Sequence, residues 1–183
     1  MPKPAFPIAP SAPDSIPGHA NSGSTPFPTP LYLVSACLCG VACRWDGQAA
    51  TVERLVALRR QGLALAVCPE VDGGLPTPRP PCELRNGRAV TRDGEDLTAH
   101  FQVGAAHALR LAQQHNIRLA ILKERSPSCG STEVYDGTFS GTRVPGAGIT
   151  AALLQAHGIR VVGEENFEEM MWAGLRPAPR RGE

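Results

Sequence analysis

Three of the six cysteines in this 183-residue chain stand at the ends of short apolar runs. Cys37 directly follows the first run, Cys68 directly follows the second, and Cys129 lies in the loop that leaves the third. Each run has the length of a buried strand. The carboxyl ends of parallel strands share one edge of an open sheet, and α/β proteins bind ligands at that edge. We therefore expect the three thiols to meet there.

Three thiolates from separate loops form the donor set of an open metal site. Three protein ligands leave one coordination position free, which is typical of catalytic rather than structural metals. Thiolates are soft donors that suit zinc or an iron–sulfur cluster. The chain has no CxxC pair of the kind that structural zinc sites use. The spacing therefore favours a cluster held at three corners and leaves zinc as the alternative.

The remaining cysteines have less certain roles at the same edge. Any single cysteine can be a packed side chain, because free cysteine is among the most buried residue types. Cys39 and Cys43 share the first loop with Cys37. We interpret Cys39 as a packed side chain and Cys43 as a competitor of Cys37 for the metal. Cys82, in a proline-rich loop, is interpreted as incidental.

Polar side chains beside the cysteines could supply acid–base chemistry. Glu70 lies two residues past Cys68, and a carboxylate there can act as a general acid or base, or can bind loop amides. Ser126 and Ser128 flank Cys129. Their hydroxyls can orient a polar substrate or satisfy backbone groups of the turn.

Two basic residues are candidates for binding a substrate oxygen. Arg79 lies in a proline-rich segment and Lys123 at the end of the third apolar run. Either could hold an anionic or carbonyl oxygen, or be a solvated charge. No GxGxxG follows the first run and the chain has no P-loop, so the sequence provides little support for a nucleotide cofactor.

The elements that must position these residues alternate between strand and helix. Thr51 is expected to cap the first helix and Thr98 to open the second, and Gly158 to close the third. Such alternation predicts an α/β fold: a single Rossmann-like domain with a mostly parallel sheet. The expected strands cover residues 31–36, 63–67, 117–123 and 159–162, with later helices at 149–157 and 166–172 and a short hairpin within the loop 76–95.

The composition indicates the limits of the domain and the compartment in which the protein works. Residues 1–30 are rich in proline and serine and predict a disordered leader, followed by one domain over 31–175 and a flexible tail over 176–183. The net charge of +1 creates no strong field for a nucleic-acid polymer, and no apolar run spans a membrane. No secretory signal is evident, so we expect a reducing, cytoplasmic compartment and free thiols rather than disulfides.

Several motifs together resemble the DUF523 family, which includes the bacterial thiouracil desulfidases. They occur in order over roughly residues 31–165: VSACL at 34–38, CRWDG at 43–47, CPE at 68–70, GGLP at 73–76, SPSCG at 126–130 and YDGTFSG at 135–141. Cys39 and Trp45 depart from the aliphatic residue and the tyrosine that are usual in the family.

The resemblance implies a 4Fe-4S cluster held by Cys37, Cys68 and Cys129. It also implies a non-redox reaction that removes sulfur from a thiolated nucleobase and gives the oxygenated base and sulfide. Glu70 and Ser126 would then handle the protons, while the free iron acts as a Lewis acid.

The prediction is an iron–sulfur enzyme that desulfurates a small thiolated base such as 2-thiouracil. Three rivals stay open. One is a zinc-dependent hydrolase with the same thiolates, another is a non-enzymatic sulfur or metal carrier, and the third is an interaction module with incidental thiols. The sequence leaves the oligomeric state open.

Overall fold

A computed structural model describes residues 30–169 of the chain. The expected leader, apart from Pro30, the expected tail and the end of the helix expected at 166–172 lie outside the described residues. In chain order the elements are β1 (Tyr32–Ser35), a 3-10 turn (Ala36–Cys39), α1 (Glu53–Arg60), β2 (Ala64–Val67), α2 (Pro69–Asp72), β3 (Cys82–Arg85), β4 (Arg88–Thr91), α3 (Thr98–Gln114), β5 (Leu119–Leu122), β6 (Glu133–Tyr135), β7 (Arg143–Pro145), α4 (Ile149–Ala156) and β8 (Arg160–Gly163).

Four strands form the central sheet of the described chain in the order β2-β1-β5-β8, and every neighbouring pair is parallel. This confirms the predicted α/β class with its parallel sheet. The predicted strand limits differ from the observed ones by one or two residues. The chain leaves β1 toward β2 and later returns to the other side of β1, so the strand order reverses between β1 and β5. That reversal is where open α/β sheets bind ligands.

Helices cover both faces of the sheet. Leu33 and Ala120 point to the face that α3 and α4 cover, whereas Val34 and Ile121 point to the opposite face, against Leu55 of α1. This alternation follows from the two-residue period of a strand. The central strands are largely apolar because both faces of the sheet are covered.

The helix starts differ in one respect from the expectation. α3 begins at Thr98 as predicted. The N-cap of α1 is Val52, and no side chain caps that helix, so the expectation that Thr51 caps it is wrong. Gly158 follows α4 with φ +74°, as expected of a residue that closes a helix. No helix within residues 30–169 is long and apolar enough to cross a membrane.

Two antiparallel hairpins stand beside the sheet. β3 and β4 form the hairpin that was expected within residues 76–95, and its turn holds Asn86 and Gly87 at φ 52° and 76°. Positive φ at both turn residues is typical of a tight hairpin turn. β6 and β7 form a second hairpin between β5 and α4, in a stretch where the sequence predicted no strand. Its strand β6 contacts β3, so the two hairpins meet.

Candidate metal centre

A cavity of about 520 Å³ opens at the carboxyl-end edge of the sheet, beside the ends of β2, β1 and β5. One part of its lining, here called the thiol side, comes from residues that follow these three strands. Another part, the hairpin side, comes from residues 81–92 and 135–139. The cysteines in the lining are Cys37, Cys43, Cys68, Cys82 and Cys129. The structure thus brings the three cysteines that the sequence singled out to one cavity.

The first loop places two thiols next to Cys68. Cys37 lies in the 3-10 turn after β1 and Cys43 in the chain that follows, and both are buried. The Cys43 thiol lies within hydrogen-bonding reach of the Cys37 and Cys68 thiols, and the interaction with Cys37 raises its pKa to about 11. The interaction with Cys43, together with burial, raises the pKa of Cys68 as well.

Cys129 lies deeper than the other thiols of the cavity. Burial raises its pKa to about 12, although hydrogen bonds with Ser35 and Ser128 act in the opposite direction. Thiols of this kind hold their protons in the protein alone, because little around them stabilises a thiolate. A metal ligand must be deprotonated, so a bound metal would have to displace these protons.

Cys39 and Cys82 differ in their relation to the cavity. The Cys39 thiol points at the Leu55 carbonyl, with 3.8 Å between Sγ and O, and is packed in the core behind the first loop. This agrees with the structural interpretation of Cys39. Cys82 begins β3 and lines the cavity, and burial raises its pKa to about 11. The β3 hairpin thus brings Cys82 to the cavity wall, and its interpretation as incidental stays a prediction.

The thiols are not arranged for a single ion. Among residues 30–169, no three His, Cys, Asp or Glu side chains are grouped so that they could hold one metal ion. A cubane cluster instead takes one thiolate at each of several corners, so its ligands come from different sides. The donor set fits a cluster better than mononuclear zinc.

Helix α2 sets the position of Cys68 and Glu70. Cys68 is its N-cap, Pro69 is its first residue, and its single turn packs on α3. A Cβ at Gly104 of α3 would lie 1.7 Å from the Pro69 carbonyl oxygen, and one at Gly73 would lie 2.0 Å from the His100 carbonyl oxygen. Two glycines thus permit a backbone contact that a side chain would prevent.

Arg79 holds the Glu70 carboxylate at the cavity. Its Nε donates to Glu70 Oε2 at 2.8 Å, and its Nη2 lies 2.8 Å from the same oxygen in an ion pair. Nη1 donates to the Pro76 carbonyl at 3.1 Å and to Thr77 Oγ1 at 3.2 Å, and Nη2 also donates to the Cys43 carbonyl at 3.1 Å. These four hydrogen bonds engage most of the N–H groups of the guanidinium. Arg79 also lines the cavity, and its expected contact with substrate stays a prediction.

The loop after β5 presents Ser126 to the cavity and turns Ser128 away. Ser126 Oγ accepts hydrogen bonds from the Ser128 and Cys129 amides, both at 3.1 Å. These bonds use its oxygen and leave its hydroxyl proton for a third group. Ser128 is fully buried, does not line the cavity, and its Oγ lies 2.8 Å from Thr150 Oγ1. The expected substrate contact of Ser128 is corrected for this reason.

Lys123 and Glu124 complete the thiol side. Lys123 Nζ pairs with Glu164, and its expected contact with substrate stays a prediction. Glu124 is buried, and its carboxylate accepts the amides of Ser131, Thr132 and Glu133. Burial acts to raise the pKa of Glu124, but these bonds and that of the Ser131 hydroxyl outweigh it and lower the pKa. No motif of the sequence had singled out Glu124.

Comparisons with known proteins agree with this site. The family described as 2-thiouracil desulfurase matches residues 32–166, a range that includes every residue of the cavity lining. The chain belongs to this family.

The relatives extend the match to whole proteins. The chain is 42% identical over 151 residues to the uncharacterised protein YbbK of Bacillus subtilis strain 168, an alignment that covers 77% of this chain and 100% of YbbK. It is also similar to the solved structure of the 4Fe-4S-dependent thiouracil desulfidase TudS, DUF523Vcz. That structure matches with a TM-score of 0.75 and 49% identity and covers 79% of this chain and 97% of the solved chain. The resemblance to DUF523 is confirmed.

The residues that sequence reasoning missed lie mostly on the hairpin side of this family's cavity. Glu83, Arg92 and Phe139 all line it. The motif at 135–141 was visible in the sequence, but nothing in it indicated that the turn faces the cysteines. For Glu124, the available signal was an acidic residue directly after a buried strand.

Proposed function

We propose that this protein removes sulfur from a thiolated nucleobase by hydrolysis, with a 4Fe-4S cluster held by Cys37, Cys68 and Cys129. The observation that carries the proposal is one cavity in which these thiols, the Glu70 carboxylate and the Ser126 hydroxyl all line the wall. In the reaction, the C=S group and one water give a C=O group and hydrogen sulfide. One C–O bond forms and the C–S bond breaks, so no oxidant or reductant is needed.

The residues of the cavity fit the cluster. Thiolates are its usual ligands, and the thiols reach the cavity from three separate strand ends rather than from one loop. When bound, a cluster with three protein ligands supplies an open iron that acts as a Lewis acid toward the substrate's sulfur. All six cysteines are free, which fits a reducing, cytoplasmic compartment.

Glu70 is the proposed proton acceptor. Its ion pair with Arg79 fixes the direction of Oε2. A carboxylate held in this way can take a proton from the water that attacks the C–S carbon. The Ser126 hydroxyl, whose oxygen is fixed by two amides, can direct its proton to the substrate. Lys123 remains a proposed contact for a carbonyl oxygen of the base.

Cys43 competes with Cys37 for the first corner of the cluster. Both thiols line the cavity and contact each other, so their placement does not separate them. We propose Cys37, which directly continues β1 and is held by the 3-10 turn. Cys37→Ala should then lose the cluster, whereas Cys43→Ala should keep its iron.

Anaerobic reconstitution with iron and sulfide tests the proposal. We expect the full chain to take up about four irons, to show the visible absorption of an iron–sulfur cluster, and to release sulfide repeatedly from 2-thiouracil. Cys68→Ala and Cys129→Ala should abolish both the absorption and the turnover. Cys39→Ala is the matched control, because this thiol is packed in the core away from the cavity, and it should retain both.

Other outcomes would identify a rival. If the protein is colourless and hydrolyses a substrate with zinc bound, the cofactor is zinc and not a cluster. Release of a single equivalent of sulfide without further turnover would indicate a carrier. If every cysteine variant keeps the absorption and the turnover of wild type, the thiols serve only as packed side chains.

A further inference from the structure

The turn between β6 and β7 is held firmly on β3. Glu83 is buried, and its Oε2 accepts the Gly137 amide at 3.0 Å and the Phe139 amide at 2.9 Å. Arg85 Nε donates to the Gly137 carbonyl at 3.0 Å. A Cβ at Gly137 would lie 2.7 Å from Arg85 Cβ, so the two hairpins are in close contact there. One turn is thus fixed by two charged side chains of the neighbouring hairpin.

Phe139 occupies an unfavourable backbone conformation within this turn. Its φ is 57°, a region that bulky side chains rarely adopt. Such conformations persist only where the surroundings enforce them, and they cluster at active sites and ligand clamps. Here the hydrogen bond from the Phe139 amide to Glu83 enforces it.

The enforced conformation places the Phe139 ring at the cavity. The ring lines it, and the Arg92 guanidinium carbon lies 5.2 Å from the ring centroid. The same cavity contains Glu70 and Ser126 on the thiol side. An aromatic surface therefore faces the space in which the proposed reaction takes place.

We propose that Phe139 is the residue that selects ring-shaped substrates, by packing against the plane of a heterocyclic thiocarbonyl. The inference rests on the proposed function and adds the reason why the site takes a base rather than an open-chain thiocarbonyl. Glu83 is its positioning residue, since its carboxylate holds the Phe139 backbone amide. Removing a base-stacking aromatic side chain commonly costs about tenfold or more in affinity.

Two substrates separate ring recognition from the chemical step. Thiourea has the same N–C(=S)–N unit as 2-thiouracil but no ring. In the reconstituted protein, Phe139→Leu should raise KM for 2-thiouracil about tenfold and leave kcat nearly unchanged, while sulfide release from thiourea stays the same. Phe139→Tyr should restore the wild-type KM because it restores the aromatic face.

Three further variants test whether the effect belongs to the Phe139 ring. Val144→Ala, an exposed position of β7 outside the cavity lining, should behave as wild type. Trp45 and Tyr135 are the other aromatic residues of the lining. If Trp45→Leu or Tyr135→Leu raises KM for 2-thiouracil and Phe139→Leu does not, the proposal is overturned. An equal loss for 2-thiouracil and thiourea in Phe139→Leu would overturn it too.

Calorimetric binding of uracil, the oxygenated product, gives a readout without turnover. Uracil should bind wild type and Val144→Ala equally, and Phe139→Leu about tenfold more weakly; thermal melting checks that each variant is folded. Equal binding by Phe139→Leu, or no binding by wild type, overturns the inference. Failure of the proposed function gives a different result, because reconstituted wild type then releases no sulfide from any thiolated base.

Discussion

The thiol side of the cavity is held by close packing together with the bonds of Arg79 and Glu124, and the hairpin side mainly by polar bonds to its turns. On the thiol side, buried cysteines and a short helix are packed against the sheet and against α3, and glycines allow contacts between backbones. On the hairpin side, carboxylates and guanidinium groups hold backbone amides and carbonyls of the turns. Close packing tolerates little change, whereas a polar clamp can be altered one bond at a time. We infer that the thiol side carries out the chemical step and that the hairpin side selects the substrate.

Arg79 joins α2 to the first loop on the thiol side, so its substitution should have the largest effect. It binds Glu70 and the Cys43 carbonyl, and its own amide donates to the Trp45 carbonyl at 2.9 Å. Arg79→Lys keeps the charge but cannot form the same fork of bonds. We expect kcat for 2-thiouracil to fall about 100-fold, as displaced catalytic groups commonly cause, with little change in KM.

Arg88→Lys is the matched control for that experiment. Arg88 is also paired with a carboxylate, that of Asp96, but its side chain is largely exposed and outside the cavity lining. It should retain wild-type kcat. A wild-type kcat in Arg79→Lys would show that Glu70 does not need this partner, and the link between α2 and the first loop would have no catalytic role.

Gly104→Ala tests the packing of the thiol side, with an effect of the next size. In an exposed helix interior, Gly→Ala stabilises by about 1 kcal/mol. At Gly104 the new Cβ would meet the Pro69 carbonyl, so α2 must move. Overpacking of this kind costs about 2 kcal/mol in the free energy of unfolding, which denaturant titration measures.

The sign of the change in the free energy of unfolding of Gly104→Ala decides whether the thiol side is tightly packed. A stabilised Gly104→Ala protein would mean that α2 gives way easily and that the thiol side is no more rigid than the hairpins. Val103→Ala, an exposed neighbour on α3, should change the free energy of unfolding by less than about 0.5 kcal/mol. Sulfide release should fall with Gly104→Ala, because α2 carries Glu70 and begins at Cys68.

The same contrast explains what the sequence could predict. Cys37, Cys68 and Cys129 follow apolar runs, and the topology of a parallel sheet brings strand ends together whatever the loops do. Phe139 comes to the cavity only through bonds between two hairpins, of which the one to Glu83 joins residues 56 positions apart. Contacts between distant hairpins leave no periodic pattern in the sequence, so they could not be predicted from it.

Some placements required side-chain geometry that spacing does not contain. Ser126 and Ser128 are equivalent neighbours of Cys129 in the sequence, yet one lines the cavity and the other bonds to Thr150 beneath it. Arg79 carries the expected positive charge, but Glu70, nine residues away, forms an ion pair with it. Residue type thus predicted the chemistry available, while packing decided which group is free.

Glu124 provides a pH test of the loop that carries Cys129. Burial acts to raise the pKa of Glu124, but the hydrogen bonds of the Ser131 hydroxyl and three amides lower it from its ordinary value, so its carboxylate stabilises the fold above the ordinary pKa of a glutamate. The contribution is lost as the pH falls from about 5 through the lowered pKa of the folded state. Glu124→Gln should cost about 1.5 kcal/mol at pH 7, and the difference from wild type should shrink in that window.

Urea denaturation at a series of pH values measures this difference. Glu95→Gln, on the exposed chain after β4, serves as the control. A difference between wild type and Glu124→Gln that stays constant down to pH 3 would contradict the role of the charge. The loop would then be held without a contribution from the Glu124 charge.

Arg92→Ala should have the smallest effect and tests how the hairpin side selects its substrate. A cation over an aromatic ring at an exposed site contributes about 0.5–1 kcal/mol, so KM for 2-thiouracil should rise about two- to fivefold, with kcat unchanged. Because Arg92 is proposed to act through the ring, removing both side chains should cost little more than Phe139→Leu alone. Steady-state kinetics of the two single variants and the double variant measure this coupling. If Arg92→Ala costs more than Phe139→Leu, charge rather than the aromatic surface recognises the substrate, and the hairpin side selects by electrostatics.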